Sequence, residues 1–479
     1  MKNEAKIPVA NPRTGKVDFH ITPASLDDVK TECRTLRARQ SEWSQQTSEH
    51  RANILLKFSA TIAKHKDELI AALAADTGRY GLSIMETDGV AASIKRWIKT
   101  AESMIVPYEG RSSSLPFITY AVENRPYPLV GVISPWNFPL TLALIDAVPA
   151  LLAGCAVIIK PSEVTPRFAE PLRQVISEIP QLDAVFTLVD GAGETGAALV
   201  DNVDVVCFTG SVATGRKVGE QAARNFVPAF LELGGKDPAI VLESADIDRA
   251  STAILRGSII NTGQGCQSIE RVYVHENQFD DFLDLLVTKA KAVTLNTPDI
   301  HSGHLGPLIF ARQAEIIQSQ IDDAVAKGAV VHTGGKIVNA GGLWYPPTVL
   351  SNVSHNMTVM TEETFGPVLP VMPFKDNDQA VTLANDSVFG LSASVFAVDA
   401  DAAIVVGRRI EAGGISINDA ALTALMYEAE KNSFKLSGLG ASRMGAPGLL
   451  RFFRKQSFMT NTADIFTIQQ FDETISKPE

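Results

Sequence analysis

Cysteine and basic charge are both scarce in this sequence, and long apolar runs are missing. Four cysteines in 479 residues, at positions 33, 155, 207 and 266, show no CxxC or metal-ligand spacing. That excludes a disulfide framework and leaves no metal site to expect, so a reducing, cytoplasmic setting follows. Lys and Arg number 43 against 54 Asp and Glu, a net charge of −11, which argues against nucleic-acid and anionic-membrane partners. The first residues carry charges but no apolar core of a secretory signal. The nearest thing to a membrane span, residues 141–159, is interrupted by Asp146, Pro149 and Gly154. A buried helix followed by a buried strand fits it better.

What is present is a globular composition, 45% hydrophobic and 20% charged, in a chain long enough for two or three domains. Ser25-Leu26-Asp27-Asp28 resembles a capping box, and Leu55, Phe58, Ile62, Leu69, Ile70 and Leu73 recur at helical spacing. Residues from about 25 to 75 are therefore predicted to be helical and to serve packing. From about Tyr127, short apolar runs alternate with helix-length segments. Runs at 129–133, 156–159, 185–189 and 203–208 read as strands buried on both faces. A second series follows at 239–242, 271–275, 330–332, 368–373 and 394–398. Two such series predict two parallel α/β domains with a cleft between them. Thr119 to Pro128 alternates and carries Arg125 and two prolines, which predicts a protruding hairpin, and residues after Phe453 read as an extended arm. Projecting strands often pair with a neighbouring subunit, because an open edge is otherwise a liability.

Three glycine-rich turns compete for a phosphate. Gly191-Ala192-Gly193-Glu194-Thr195-Gly196 has dinucleotide-fingerprint spacing after a strand, but Glu194 would repel phosphate. Gly210 and Ser211 also join a buried strand to a helix, and Ser211 can cap that helix. The near-match to a P-loop fails there, since Arg216 and Lys217 sit one place out and no Ser or Thr follows. The helix start at Gly210 and Ser211 is the better phosphate site. Leu233-Gly234-Gly235-Lys236 reads as structural, turning tightly beside Glu232 and leaving room for a flat ligand. Lys160-Pro161-Ser162-Glu163 closes a strand and is either a ribose-binding pair or an exposed turn.

Of the thiols, Cys155 and Cys207 sit in apolar runs and read as buried packing, and Cys33 lies on a helix without a visible partner. Cys266 differs, because Asn261-Thr262-Gly263-Gln264-Gly265 before it is small and polar. A thiol needs a lowered pKa or a nearby base to act as a nucleophile. Glu232 is the carboxylate able to serve if the fold brings it close.

Together with Pro135-Trp136-Asn137-Phe138-Pro139 and Glu363-Thr364-Phe365-Gly366-Pro367, these motifs resemble, in order and separation, those of the aldehyde dehydrogenase superfamily over about residues 10 to 450. The resemblance implies an α/β fold: a Rossmann-like cofactor domain (1–116 and 130–236, with part of 436–452), a catalytic domain (237–435), and a small β element for oligomerisation (117–129 and 453–479) in a homodimer or homotetramer. It implies that Cys266 attacks the aldehyde, that Asn137 and the Cys266 N–H hold the oxyanion, and that Glu232 activates water to release a carboxylic acid. Trp136, Lys160, Glu163, Gly210, Ser211, Glu363 and Phe365 would hold the cofactor. A carboxylate at Glu163 favours NAD over NADP, with Lys160 leaving dual use open. No histidine falls in a motif of the family.

The departures lie around the substrate. Asn432 to Gly438 replaces a stretch that often reads Phe-Gly-Gly-x-Lys-x-Ser-Gly, which puts Lys431 where many members carry an aromatic. Lys431 or a neighbour such as Tyr427 then meets a polar or anionic end of the substrate, unless Lys431 points to solvent. Phe138, Leu142 and Ile145 would form the opposite wall. Two other functions stay in view: a CoA-acylating relative, against which Glu232 argues, and a non-catalytic protein on the same fold, which would be expected to lose Cys266, Glu232 or Asn137.

Overall fold

The computed structural model describes residues 6–105, 110–465 and 467–473. Six strands form one sheet, in the order Gly438–Leu439, Ala229–Glu232, Val205–Thr209, Leu129–Ile133, Ala156–Lys160 and Phe186–Leu188. All run parallel except the short edge strand Gly438–Leu439. Leu129–Ile133 and Ala156–Lys160 are buried at every residue, as expected of Val/Ile-rich strands covered on both faces. The chain builds outward from Leu129–Ile133 to Phe186–Leu188, then crosses back to lay Val205–Thr209 on the other side. Such a reversal opens a crevice at the carboxyl ends of the strands, where α/β sheets bind ligands.

A second sheet has seven strands, ordered Val330–Thr333, Thr348–Ser351, Val368–Phe374, Ile269–His275, Asp237–Val241, Ser392–Phe396 and Gly414–Ile417. Only the pair Val330–Thr333 and Thr348–Ser351 is antiparallel. The chain therefore adopts the expected α/β class. Thr348–Ser351 and Gly414–Ile417 are additions to the predicted strands, each only four residues long.

Residues 25–75 form parts of three helices, Leu26–Gln45, Ser48–Lys64 and Lys66–Thr77. Ser25 and Asp28 cap the first reciprocally, and the stripe from Leu55 to Leu73 is buried. The apolar stretch at 141–159 divides into the helix Pro139–Ala153 and the strand Ala156–Lys160, with Gly154 at φ +104° ending the helix. No helix among the described residues is long and apolar enough to cross a membrane. Asp146 sits in the middle of that buried helix, where Arg443 Nη2 donates to it at 2.7 Å and Arg451 Nη2 bonds its other oxygen. Burial opposes the charge on Asp146, but the two guanidiniums overcome it and hold the carboxyl below the usual carboxylate range.

Thr119 to Pro128 is not a hairpin on its own. Ile118–Pro126 is the middle strand of a three-stranded antiparallel sheet, between Arg111–Ser112 and Phe453–Asn461. This three-stranded sheet thus starts before residue 117, and the long partner of Ile118–Pro126 is the arm of the same chain. The end of the predicted arm, 474–479, lies outside the described residues.

Removing the carboxylate of Asp146 would leave two buried guanidiniums without a counter-charge. Asp146→Ala is expected to cost about 3–5 kcal/mol, seen as a lower denaturation midpoint. A midpoint equal to that of the wild type would contradict this account of the pairing.

Candidate active site

The crevice of the six-stranded sheet collects the motifs. Trp136, Asn137 and Phe138 lie between Leu129–Ile133 and the helix Pro139–Ala153, and Lys160 ends its strand. Gly210 and Ser211 follow Val205–Thr209, and Ser211 Oγ caps the helix Val212–Arg224 by accepting from Thr214 N at 3.3 Å. Glu232 is the last residue of Ala229–Glu232.

Cys266 arrives from the other sheet. The helix Ile247–Ile259 runs into a 3-10 turn, Ile260–Gly263, and Gln264, Gly265 and Cys266 then lead to the strand Ile269–His275. Asn261 and Thr262 are left-handed, at φ +55° and +58°, a conformation that persists for such residues only when its surroundings enforce it. The enforcement is visible. Asn261 Nδ2 donates to Asn137 O (2.9 Å) and Gln264 O (3.0 Å), and Thr262 Oγ1 donates to Gly306 O (2.9 Å). Asn137 Nδ2 also reaches Gln264 O (3.0 Å), and Arg79 Nη2 donates to Asn137 O (2.9 Å). Asn137 and the turn before Cys266 are one hydrogen-bonded unit.

The glycine pair brings the segment after Glu232 against that unit. A Cβ on Gly235 would lie 2.3 Å from Cys266 O, and one on Gly234 2.6 Å from Glu363 Oε1. The room expected for a flat ligand is filled here by a carbonyl and a carboxylate. Glu232 accepts from Ser433 Oγ at 3.2 Å, and its charge is felt at Cys266.

Burial pushes the Cys266 thiol up to about 12, with Glu363, Asp237 and Glu232 adding to the effect and Lys431 opposing it. Burial also pushes Glu363 up to about 8, aided by Glu270 and opposed by the Gly235 N–H, which donates to it at 3.0 Å. The site without ligands therefore holds a neutral thiol at pH 7.

Glu363 and Phe365 are set by a buried pair of which the motifs contain only Lys236. Lys236 Nζ donates to Glu270 Oε2 and Thr364 Oγ1, both at 2.8 Å. Glu270 in turn accepts from Thr364 N (2.7 Å) and Phe365 N (2.8 Å), which fixes Phe365 at φ +51°. The Phe365 ring meets Trp136 edge-on at 5.3 Å.

Lys160 is buried and donates to Pro161 O (2.8 Å), Glu163 Oε2 (3.2 Å) and Gly191 O (2.7 Å). Of the two alternatives for this motif, a wholly exposed turn is excluded. Glu163 remains half-buried. The competing glycine turn folds on itself, with a Cβ on Gly191 falling 1.9 Å from Thr195 Oγ1.

On the substrate side Phe138 is half-buried under the Arg79 guanidinium at 5.2 Å, and Ile145 is buried. Tyr427 lies under Arg96 at 4.5 Å. Tyr427 and Lys431 are both close enough for their charges to couple to Cys266. Arg79, Arg96 and Glu270 are absent from the sequence reading, and Ser433 enters it only as part of the departure at 432–438. For Arg96 the one available signal is a cation on a half-buried flank of the helix Tyr80–Met104.

The aldehyde dehydrogenase family model matches residues 1–458. The chain belongs to the aldehyde dehydrogenase family. This aldehyde dehydrogenase is 33% identical to a Mycolicibacterium smegmatis protein provisionally described as an NADP+ succinate-semialdehyde dehydrogenase, over 95% of this chain and 88% of that one. Among solved structures it is similar to one from Anabaena variabilis, provisionally an aldehyde dehydrogenase, with 52% identity, TM-score 0.95, and 98% and 100% of the two chains covered. It also matches Staphylococcus aureus betaine aldehyde dehydrogenase in complex with NAD+, at 30% identity, TM-score 0.91, and 97% and 93% coverage. It oxidises aldehydes with NAD(P)+.

A thiol raised this far ionises only a little near neutrality. Alkylation of Cys266 by iodoacetamide in the ligand-free enzyme should climb about tenfold per pH unit from pH 7 to 9. A plateau near pH 7 would mean that the thiolate already dominates there.

Proposed function

We propose that this aldehyde dehydrogenase makes a carboxylic acid through a thioester on Cys266. The observation that carries the reading is the shared unit of Asn137 and the turn before Cys266, closed by the approach of Gly235 to the Cys266 carbonyl. The Cys266 thiol gives its proton through water to Glu232, which returns it to solvent, and the thiolate attacks the carbonyl carbon, forming a C–S bond and moving the carbonyl electron pair onto oxygen. The second N–H of Asn137 Nδ2 and the backbone N–H of Cys266 hold that oxyanion, a contact worth roughly 3–4 kcal/mol. When bound, NAD(P)+ accepts the hydride that leaves a thioester. Glu232 then takes a proton from water, the water oxygen adds to the thioester, and the C–S bond breaks to free the acid and the thiol.

The donor set at the crevice suits a nicotinamide dinucleotide. The helix start at Gly210 and Ser211 offers backbone N–H groups to a phosphate, Glu363 serves the nicotinamide ribose, and Trp136 and Phe365 offer aromatic faces and edges. Lys160 and Glu163 would serve the adenosine ribose. NAD is the favoured form: the Glu163 carboxylate repels a 2′-phosphate, and the Lys160 ammonium already has three acceptors.

For the aldehyde, Lys431 beside the thiol and Arg96 over Tyr427 favour a substrate with an anionic or polar end, against an apolar wall of Phe138 and Ile145. The semialdehyde named for the mycobacterial relative has that chemistry. A homodimer or homotetramer is favoured by the projecting sheet, whose edge strand Phe453–Asn461 exposes Met459 by 73%. A cytoplasmic setting agrees with four free thiols.

Glu232→Gln should release one NADH per site and then stall, with steady turnover down roughly 10²–10⁴-fold. Undiminished turnover would remove Glu232 from the water step, and turnover restored by CoA would favour the acylating alternative. Lys431→Met should raise KM for semialdehydes far more than for alkanals, measured as NADH or NADPH formation with each cofactor. Equal effects on both substrate types would dismiss the anionic-end reading.

A further inference from the structure

Asp146 is one carboxylate shared by two guanidiniums. Arg443 Nη2 donates to one of its oxygens at 2.7 Å, and Arg451 Nη2 bonds the other. All three side chains are buried, Arg443 being 9% exposed and the other two 1%. The cluster therefore holds one positive charge in excess, away from water, where an ion needs a partner close by. Arg451 lies over the rings of Phe230 and Phe452, at 4.9 and 5.0 Å. Arg443 meets a different neighbour.

The same Arg443 Nη2 donates to Thr209 Oγ1 at 2.7 Å. Thr209 ends the strand Val205–Thr209 and is the register partner of Glu232, the last residue of Ala229–Glu232. Paired residues of adjacent strands set their side chains side by side on one face of the sheet. Phe230, two residues before Glu232, shares that face, so Arg451 and Arg443 cover the strand one after the other. Burial lowers the Arg443 guanidinium, but Asp146 and then Glu232 overcome it and hold it above its ordinary value. The segment that carries Arg443 is itself tied down. Lys431 N donates to Ser442 Oγ at 3.1 Å, and Gly445 N donates to Tyr427 O at 3.0 Å.

Glu232 stands in a site crowded with carboxylates. Its charge and those of Glu363 and Asp237 all reach Cys266, and the Lys236 ammonium already pairs with Glu270. Facing Glu232 are the Ser433 hydroxyl, the Cys266 thiol from the other sheet, the Cys207 thiol from the neighbouring strand, and the Arg443 guanidinium. Arg443 is the cation among them. We propose that Arg443 is a positioning residue for the water step, the buried counter-charge that keeps the Glu232 carboxylate an anion beside the thioester. A base that must take a proton from water works only while it lacks one. Arg443 acts through Glu232, so this inference rests on the role proposed for that residue.

The test is steady-state turnover of the full-length enzyme at pH 7 and pH 9, with NAD+ and the aldehyde that the wild type oxidises fastest. Relative to the wild type at each pH, Arg443→Met should be at least tenfold slower at pH 7. The gap should close to within threefold at pH 9, where a carboxylate without its counter-charge ionises again. Arg443→Lys, which keeps the charge, should stay within threefold at both. Glu232→Gln, which has no carboxylate to restore, should be slow at both. A deficit in Arg443→Met that is equal at the two pH values would overturn the counter-charge and leave Glu232 its role, as would Arg443→Lys as slow as Arg443→Met. Wild-type turnover in Glu232→Gln would remove the base and its counter-charge together. If Arg443→Met does not fold, Thr209→Val decides, because it removes the acceptor that holds Arg443 to the strand. It should slow turnover at least threefold at pH 7 and not at pH 9, and wild-type rates at pH 7 would overturn the proposal.

Discussion

The carbonyl oxygen of Asn137 accepts two hydrogen bonds, from Arg79 Nη2 and Asn261 Nδ2, each at 2.9 Å. One donor sits at the head of the helix Tyr80–Met104 and the other in the turn that delivers Cys266, so three elements converge on one atom. The amide of Asn137 then reaches Gln264 O and closes the loop. Reacting groups must be held to a fraction of an ångström to be useful. The left-handed Asn261 and Thr262 would relax without this clamp, and the thiol would lose its register with Asn137.

Electrostatics around the thiol pull the other way. Glu363, Asp237 and Glu232 all disfavour a thiolate at Cys266, and Lys431 is the cation that opposes them. Lys236 does not help, because its charge is spent on Glu270. Without ligands, the Cys266 thiol is thus kept protonated at neutral pH. In the proposed thioester route, activation of Cys266 comes from what binds, through a changed charge balance or a water-mediated path to a carboxylate.

Much of this was legible in the residues. Strands with continuous Val and Ile, such as Ala156–Lys160, announce burial on both faces, and the class of fold follows from their alternation with helices. Cys266, Glu232 and Asn137 are legible because each lies in a motif whose neighbours are constrained by backbone geometry. What stays hidden are single side chains acting across long separations. Asp146 in an apolar helix signals that some cation must meet it, but nothing local says that Arg443 and Arg451 do so from 297 and 305 residues away. Arg79 and Glu270 are hidden for the same reason. The strands Thr348–Ser351 and Gly414–Ile417 escape because four residues carry too little periodicity to separate a strand from a loop.

The pairing of Ile118–Pro126 with Phe453–Asn461 also sets an order of events in the cell. Arg125 and Gln456, hydrogen-bonded across this sheet, are 331 residues apart. At about 5–20 residues per second of synthesis, the first strand waits roughly 15–65 seconds on the ribosome before its mate exists. The two α/β sheets lie largely between these strands and have that interval in which to form. This three-stranded sheet closes after them, so any assembly that uses it begins only once Phe453–Asn461 has been made.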